Sequence, residues 1–272
     1  MLVRTWNVFH GHTDPPGPWN YLKEIVRLAT ADQPDVLFLQ EVPVWGLPKL
    51  SEWSGMSAFV APAARPIIGP LGKYDWIGRP VSRRASPNSR AGQLFRLAVL
   101  GDANATLLNS RFRVVDRFIS HLNPNSLRRR YNRAHKLGLA DRLKWAKERR
   151  VCLSLIVELD KGHRAVLSNL HTSAYPERVA EIELERAVAM TDELASPDDI
   201  RILAGDFNVH AAASPTVREL TTARDFSSAG PSVDHILVRG AVGGSPETWS
   251  DERRRVDGRV LSDHAPVDVR LA

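Results

Sequence analysis

An acid and an amide follow a short apolar run in the second half of the sequence. Residues 202–204 form the run, Gly205 ends it, and Asp206 and Asn208 follow with one residue between them. Because side chains two residues apart on an extended backbone point to the same face, the carboxylate and the amide are predicted to project together from the end of a core strand. Such strand ends commonly hold hard cations and phosphate groups. The alternative is an Asp/Asn turn that only ends the strand.

Similar polar clusters stand at the boundaries of five other strand-like runs. They are Thr5-Trp6-Asn7, Leu39-Gln40-Glu41, Asn169-Leu170-His171, Val233-Asp234-His235 and Ser262-Asp263-His264. A glutamate in the position of Glu41 is costly to bury unless it is paired or bound to a cation, and Mg²⁺ needs only one or two carboxylates because it keeps several waters. Glu41 is therefore predicted to be a metal ligand, with Asn7 beside it and Asp263 as a further candidate. The alternative for Glu41 is a side chain that faces solvent at the end of its strand.

Two of these clusters carry a histidine suited to hydrolysis near neutral pH. A neutral imidazole can take a proton from water near pH 7, and a carboxylate partner can fix its tautomer. His264 is therefore predicted to be the general base. A lone histidine is more often structural than catalytic, but His171 and His264 occur in matching contexts, which favours functional roles for both. His10 and His12 lie in a loop of turn-forming residues. Two histidines there suggest a metal site as one alternative, but they are interpreted as solvated or substrate-facing because that is common for loop histidines.

Taken in order, the six motifs resemble those of the endonuclease/exonuclease/phosphatase superfamily, from Asn7 to His264. That superfamily includes DNase I-like nucleases, abasic-site endonucleases, inositol-phosphate phosphatases and neutral sphingomyelinases. The resemblance implies an α/β fold, a four-layer sandwich of two mixed β-sheets flanked by helices, with the site at one edge. Six short motifs in this order are specific for the superfamily but do not specify a substrate.

The resemblance also implies a reaction and a role for each residue. A metal-dependent phosphoric ester hydrolase of this type, loaded with Mg²⁺ or Mn²⁺, hydrolyses its substrate by in-line attack of water, without a covalent enzyme intermediate. Asp234 would orient His264, and His171 would lie on the opposite side of the phosphate as an electrophile or a general acid. Asp206 and Asn208 would orient the nucleophilic water and hold a phosphate oxygen.

The chain departs from the superfamily pattern in one respect. DNase I-like enzymes usually pair the counterpart of His171 with a glutamate from an earlier strand, and the sequence offers only Asp102 and Asn104 nearby. Abasic-site endonucleases carry a different motif where Asn169-Leu170-His171 stands. The chain therefore follows the histidine type, and this disfavours a role in abasic-site repair.

The positive charge of the chain belongs to one segment. The formal net charge is +6, but residues 127–150 hold ten Lys or Arg and two acids, a net of +8, which leaves −2 for the remainder. One or two helices with a break at Gly138 are expected there, as a basic helical insert at about residues 121–150. Clustered charge favours a polyanionic partner, although a solvated helical face is an equally ordinary explanation. Four arginines are predicted to bind substrate phosphates: Arg128, Arg129, Arg130 and Arg133.

Three functions remain open at this point. The basic insert favours a nuclease or phosphodiesterase that acts on nucleic acid. A phosphatase or phospholipase acting on an inositol phosphate or a sphingomyelin-like headgroup would place the same insert on an anionic membrane surface. A catalytically inactive binding module is disfavoured because no motif position has been lost. No obligate protein partner is evident.

Length and composition indicate an ordinary globular chain. The 272 residues are 43% hydrophobic and 25% charged, and residues 1–272 are predicted to form one domain. No apolar run approaches the roughly 20 residues of a membrane span, and the N-terminus enters a strand without a signal-like apolar region. Cys152 is the only cysteine, predicted to be inert core, and a reducing cytoplasm is the expected compartment.

Several elements can be placed from the pattern. A helix is expected from Pro18, and a short one around residues 46–54. Residues 94–100 and 103–108 are predicted to be strands joined at Gly101-Asp102, with residues 109–112 as the turn that closes their hairpin. An alternating pattern predicts a strand at residues 151–159 that pairs with residues 165–170.

Overall fold

The computed structural model describes residues 1–17, 19–64, 102–135, 137–147, 149–159, 162–227 and 229–272. In these ranges the strands are β1 (Leu2–Asn7), β2 (Thr13–Asp14), β3 (Val36–Val42), β4 (Ser57–Ala64), β5 (Asp102–Leu108), β6 (Arg113–His121), β7 (Val151–Glu158), β8 (Arg164–His171), β9 (Ile200–Asp206), β10 (Asp234–Arg239), β11 (Glu247–Thr248), β12 (Arg255–Val256), β13 (Arg259–Leu261) and β14 (Val267–Arg270). The α-helices are α1 (Leu22–Thr30), α2 (Leu50–Ser54), α3 (Asn125–His135), α4 (Leu139–Lys147), α5 (Glu177–Leu194) and α6 (Pro215–Ala223), and 3₁₀ turns cover Phe9–Gly11 and Val44–Lys49.

The described strands form two large mixed sheets. The first has the order β11-β14-β1-β3-β5-β4 and the second the order β10-β9-β8-β7-β6, while β12, β13 and β2 form a small third sheet. The β1–β3 and β8–β9 pairs are parallel, and the other pairs of the two large sheets are antiparallel. Parallel neighbours end at the same edge of their sheet, so β1 with β3, and β8 with β9, deliver their last residues together.

Side-chain alternation along the strands separates the layers. In β7, Leu153 and Leu155 enter the core between the two sheets, whereas Cys152 enters the core on the outer face. In β3, Phe38 faces the inter-sheet core and Leu37 faces the opposite side. Helices α1 and α2 cover the outer face of the first sheet, and α5 and α6 cover that of the second. The four-layer α/β sandwich expected from the motifs is therefore confirmed.

A polar contact joins the sheets beneath the edge that carries the motifs. Gln40 donates to Asn169 Oδ1 at 2.8 Å, and Asn169 Nδ2 donates to the carbonyls of Leu39 and Ala105 at 3.2 and 2.9 Å. All these groups are buried, so each needs the partner it has. Gly205 lies on the same level at φ +144°, where an added Cβ would stand 1.8 Å from the Leu170 carbonyl oxygen. Only glycine lets β9 approach β8 this closely.

The structure corrects several elements expected from the sequence. The first helix begins at Leu22 rather than Pro18, which lies outside the described residues, as do residues 94–100. Residues 109–112 do not close a hairpin with residues 103–108; they pass the chain from β5 in the first sheet to β6 in the second. Strand β5 pairs instead with β3 and β4, and the β4 strand was not expected.

The basic insert leaves and re-enters one sheet at neighbouring positions. His121 of β6 pairs with Val151 of β7, and Leu122 N donates to the Arg150 carbonyl at 2.9 Å. Helices α3 and α4 form the excursion between these two strands, with α4 beginning directly after Gly138. No helix in the described part of the chain is long and apolar enough to cross a membrane.

Candidate active site

Strand ends bring five of the motif residues to one edge of the sandwich. Asn7 ends β1, and Glu41 stands one residue before the end of its neighbour β3. In the second sheet, Asp206 pairs in register with both His171, which ends β8, and Asp234, which begins β10. The parallel β8–β9 pair and the antiparallel return of β10 dictate this meeting, because residues in register stand side by side.

Asp206 lies at the centre of the cluster. Its side chain is only 2% exposed, and its Oδ2 accepts a hydrogen bond from Asn7 Nδ2 at 3.0 Å. The same oxygen lies 3.5 Å from His171 Nε2 and 3.8 Å from His264 Nε2. Its other oxygen accepts from the backbone N–H of Asn208 at 3.0 Å. One carboxylate therefore stands between two imidazole rings that come from different strand ends.

His264 is oriented by Asp234. Its Nδ1 lies 2.7 Å from Asp234 Oδ2, and this contact places the proton on Nδ1 and turns Nε2 towards Asp206. The turn that carries the ring is also fixed, because Ser262 Oγ accepts from His264 N at 3.1 Å and donates to the Asn7 carbonyl at 2.7 Å. This is the geometry that a general base requires: one ring nitrogen held by a carboxylate, the other directed into the site.

The acidic surroundings strongly favour the charged form of His264. Burial opposes protonation, but the hydrogen bond that His264 donates to Asp234 and the charges of Asp234, Asp206 and Asp263 outweigh it and raise the pKa of His264 to about 10. A bound divalent cation would oppose that effect, because positive charge among these carboxylates disfavours the imidazolium. The sequence prediction of a neutral base at pH 7 thus depends on a cation in the site.

His171 is driven in the opposite direction. Burial lowers its pKa well below the usual value, and the positive charges of Arg150, His264 and His10 act in the same sense. The ring is therefore neutral, able to donate one hydrogen bond but unable to provide a full positive charge. The carboxylate nearest to it among the described contacts is Asp206, from a later strand rather than an earlier one.

Neither earlier residue supplies the missing carboxylate partner of His171. Asn104 Nδ2 donates to the carbonyl of Val151 at 2.9 Å, and at 3.5 Å to that of Asn169. Asp102 is buried at the start of β5, where the neighbouring charges that act on its pKa are those of His10, Glu41 and Arg150. The pairing usual in DNase I-like enzymes is thus absent between His171 and these two residues.

Glu41 owes its direction to an irregularity in β3. The pairing with β5 shifts between Leu39 and Val42, and Glu41 has a φ of +55°, a left-handed conformation that is unusual for glutamate. Its Oε1 accepts from Asn7 Nδ2 at 3.3 Å, and its Oε2 lies 3.1 Å from His10 Nε2. Strain of this kind is commonly found at functional sites, because surrounding contacts must hold it in place.

The donor set fits a hard divalent cation. Asp206, Asp234 and His264, which the sequence analysis gave catalytic roles rather than ligand roles, offer ligand atoms that all lie within 4.8 Å of one another. Burial raises the pKa of Glu41, and the charges of Asp263 and Asp206 raise it further. Crowded carboxylates that resist ionisation are stabilised by a cation, and oxygen ligands suit Mg²⁺ or Mn²⁺. The roles of Asn7, Glu41 and Asp263 as ligands remain predictions.

Asn208 is held by the strand next to its own. It has a φ of +50°, and its Nδ2 donates to the Thr172 carbonyl at 3.0 Å. Thr172 in turn donates its Oγ1 to the Phe207 carbonyl at 2.5 Å. Strand β9 ends at Asp206, so the extended geometry predicted for Asp206 and Asn208 is wrong. Asn208 instead fastens the end of β9 to the segment after His171, and a contact of Asn208 with phosphate remains a prediction.

Three residues at this edge have places that the sequence did not predict, and His10 and His12, which were expected to be solvated or substrate-facing, are both buried. His10 lies beside Glu41 in a 3₁₀ turn with a φ of +52°, and Asp102 and Arg150 are buried near it. A glycine at position 11 was a signal for the tight turn, but its direction depends on tertiary contacts. The fourth histidine near the site, His235, faces the core: its ring is buried against Phe207 and its Nε2 lies 2.8 Å from the Val209 carbonyl oxygen.

The four arginines of the insert differ in their surroundings. Arg129, Arg130 and Arg133 are exposed on α3. Arg128 instead donates to the carbonyls of Trp145 and Ala146 at 3.4 and 3.2 Å and to Asn125 Oδ1. The guanidinium of Arg128 thus stabilises the end of α4, and this limits its availability to a ligand.

Comparison with known proteins assigns the chain to a family. A family model described as "Endonuclease/Exonuclease/phosphatase family" matches residues 5–264. The chain belongs to this family. Members of the family hydrolyse phosphate esters and depend on divalent metals, in agreement with the cluster around Asp206. A search of curated proteins finds no significant match.

Solved structures that resemble the chain share its fold over its whole length. A mannosyl-6-phosphatase from Bacteroides thetaiotaomicron is 16% identical, with a TM-score of 0.64, and the match covers 100% of this chain and 99% of the other. The human Nocturnin catalytic domain is 15% identical, with a TM-score of 0.62 and coverage of 100% and 94%. A truncated TDP2 from Caenorhabditis elegans is 14% identical, with a TM-score of 0.61 and coverage of 99% and 96%. At these identities the likeness shows the family fold alone.

Proposed function

We propose that this family member is a divalent-cation-dependent phosphodiesterase that hydrolyses nucleic acid with a water activated by His264. The observation that carries the proposal is the 2.7 Å contact between His264 Nδ1 and Asp234, with Nε2 directed towards Asp206. This arrangement suits a proton acceptor whose orientation and tautomer are fixed before the substrate arrives. No covalent nucleophile is needed for a phosphate ester hydrolysed by in-line attack.

Each side chain then has a distinct task. His264 Nε2 accepts the proton of the attacking water while Asp234 holds the resulting imidazolium. Asp206, placed between the two rings, orients the water, and neutral His171 donates a hydrogen bond to a phosphoryl oxygen or to the leaving oxygen. A cation held by Glu41 with Asn7 and Asp263 would supply positive charge to the oxygens of the transition state. Removal of one positioned group of this type typically lowers the rate by about 10² or more.

The basic insert supports a nucleic-acid substrate. It stands at the edge of the sheet where β8 and β9 end, because β7, which starts there, pairs with β8. Arg129, Arg130 and Arg133 are exposed on it and can contact phosphates on either side of the reacting one. Contacts of Lys and Arg with phosphate supply most of the sequence-independent affinity for nucleic acid.

A second candidate is a phosphodiester in a lipid headgroup, and one observation favours it. Leu139 and Leu143 of α4 are 70% and 62% exposed, and Tyr175 is 57% exposed beside the same helix. Lys144 Nζ lies 4.8 Å from the centre of the Tyr175 ring. Exposed leucines and tyrosine among basic residues suit the interface of an anionic membrane. Nucleic-acid binding does not require the two leucines.

One panel of substrates separates the candidates. Purified protein with Mg²⁺ or Mn²⁺ is incubated with plasmid DNA, single-stranded DNA, RNA, sphingomyelin vesicles and inositol phosphates, and His264→Ala serves as the matched inactive control. Hydrolysis of a nucleic acid by the wild type but not by the variant is expected. Activity on lipid alone would reject the nucleic-acid proposal, and activity equal in both proteins would indicate a contaminant.

A further inference from the structure

A buried carboxylate lies between the basic insert and the segment that follows the catalytic strand β8. Glu183 of α5 is fully buried, and its Oε2 accepts from the backbone N–H of Ser173 at 2.6 Å. Its Oε1 accepts from Ser173 Oγ at 3.0 Å and from Trp145 Nε1 at 2.8 Å. Three donors thus converge on one carboxylate. Their hydrogen bonds offset the free-energy cost of burying its negative charge.

The Ser173 side of this contact leads directly to the site. Ser173 is two residues after His171, and the residue between them, Thr172, is fastened to β9. Thr172 N donates to the Asp206 carbonyl at 3.1 Å, and Asn208 donates to the Thr172 carbonyl at 3.0 Å. Ser173 therefore continues a backbone segment that Thr172 holds against β9. Together with the β8–β9 pairing, the contacts of this segment set how the His171 ring lies beside Asp206, 3.5 Å away.

The Trp145 side leads into the insert. Trp145 is almost fully buried with Leu137 and Val179, and its ring meets that of Tyr131 edge to face at 5.8 Å. Tyr131 belongs to α3, the helix that carries the exposed arginines. The backbone of Trp145 is also held, since Arg128 donates to its carbonyl. The indole thus helps to attach the insert to α5, together with the packing of Leu137 on Val179 and an ion pair between Arg178 and Asp141.

We propose that Glu183 and Trp145 are positioning residues, which brace the segment after β8 against the insert and so help to position the His171 side chain beside Asp206. This inference rests on the proposed hydrolysis at the His171–His264 site. A structural role alone would affect stability, whereas a positioning role affects turnover. Misplacement of a reacting group by about 1 Å can lower a rate by 10²-fold, so the effect is measurable even if the fold is intact.

The test uses the full chain and a rescue. In Glu183→Gln, the amide oxygen can still accept from Ser173, but the amide N–H₂ faces the Trp145 N–H, so two donors oppose each other. A fall in kcat of about tenfold or more is expected on a small chromogenic phosphodiester, with KM nearly unchanged. Trp145→Phe removes the indole donor together with part of the buried ring, but it leaves the carboxylate on Ser173 and should lower kcat by less. Combining Trp145→Phe with Glu183→Gln removes the opposed donor and should recover much of the lost kcat.

Glu181→Gln is the matched control. Glu181 lies on the same helix, but its Oε2 accepts from Thr216 N at 3.3 Å, on the side of α6. It should leave kcat at the wild-type value. Unchanged kcat in a folded Glu183→Gln protein, or no recovery in the double variant, would overturn the inference. If Glu183→Gln does not fold, an unchanged kcat in Trp145→Phe would overturn the inference instead. A wild type inactive on every phosphate ester would instead reject the proposed function.

Discussion

The two histidines that flank Asp206 occupy environments of opposite character. His171 is enclosed and faces positive charge, which keeps the ring neutral, whereas His264 is surrounded by carboxylates that favour its protonated form. Two titratable groups whose pKa values are shifted in opposite directions commonly serve as the acid and the base of a reaction. Without a bound cation, however, the raised pKa of His264 favours the protonated ring near pH 7, so the base role that we propose for it requires positive charge nearby.

Replacing either central group should abolish most turnover while the fold persists. His264→Ala and Asp206→Ala are each expected to lower kcat by about 10² or more, because each removes a group that acts in the transition state. Both lie at the sheet edge, so their loss opens no large core cavity. Circular dichroism should remain that of the wild type. Asp198→Ala, an exposed acid before the opposite end of β9, should leave kcat unchanged. Near wild-type kcat in a folded variant would remove that residue from the mechanism.

The pKa of His264 gives a prediction with a definite sign. Because folding without a cation raises that pKa from about 6.5 to about 10, the interaction stabilises the fold fully below pH 6.5 and is lost as the pH rises towards 10. NMR titration of the His264 ring in EDTA should show the raised value, and Asp234→Asn should lower it. Added Mg²⁺ should lower it as well. A pKa near 6.5 in EDTA would contradict the electrostatics described for the site.

At the scale of elements, the arginines of the insert fall into two groups: some face solvent, and others are used in contacts within the insert. Arg129, Arg130 and Arg133 have solvent-exposed side chains on α3, while Arg128 holds the carbonyls of α4. Residues that neighbour each other in sequence thus have different tasks, because successive positions on a helix point in different directions. The charge count of the segment therefore overstates what a polyanion can contact.

A salt titration distinguishes these arginines. Changing Arg129, Arg130 and Arg133 to Gln should raise KM on duplex DNA and flatten the salt dependence of binding by about 0.9 log unit per lost phosphate contact. Turnover of a small phosphodiester should stay the same because the metal site is untouched. Arg128→Gln, the matched single change, should lower the melting temperature and leave the salt dependence of binding nearly unchanged. Equal slopes in the triple variant and the wild type would exclude the three arginines as phosphate contacts.

The positions of the strand ends could be predicted from the sequence, but the directions of several side chains at those ends could not. Residues such as Asp206 and His171 could be placed because the periodicity of their strands is local and each cluster follows an apolar run. A β-bulge directs the Glu41 side chain towards Asn7, and a left-handed turn places His10 beside Glu41. No local sequence pattern predicts either feature. Arg150 was counted with the insert, although it is buried at the start of β7. Such positions depend on contacts between distant elements.

At the scale of the whole molecule, the buried carboxylates of the site oppose the stability of the fold as the pH rises. Burial raises the pKa of Glu41, Asp102 and Asp263, and burial together with Asp206 raises that of Asp234 to about 6. Groups whose pKa rises on folding favour the folded state at low pH and cost stability as the pH rises through the folded value. Near neutral pH, and without a bound cation, these carboxylates are therefore harder to ionise in the folded protein than in the unfolded chain.

Cation binding should reverse this cost and do so more strongly at higher pH. Mg²⁺ at about 100 times its Kd would add roughly 2.7 kcal/mol to the free energy of unfolding. Melting curves with EDTA or Mg²⁺ should therefore differ more at about pH 7.5 than at about pH 5, where protonated carboxylates bind a cation poorly. Glu41→Gln should reduce the difference, and Glu247→Gln, a change on the exposed strand β11, should not. A shift independent of pH would argue against carboxylate ligands.

Cys152 is a natural reporter on the opening of the second sheet. It is the only cysteine of the chain, it is fully buried in β7 under α5, and burial raises the pKa of its thiol to about 11. A thiol reagent can therefore react only when β7 is exposed, since the thiolate is the reactive form. The labelling rate then counts how often the sheet that carries His171 and Asp206 opens, and its response to Mg²⁺ or to substrate can be followed without any engineered probe.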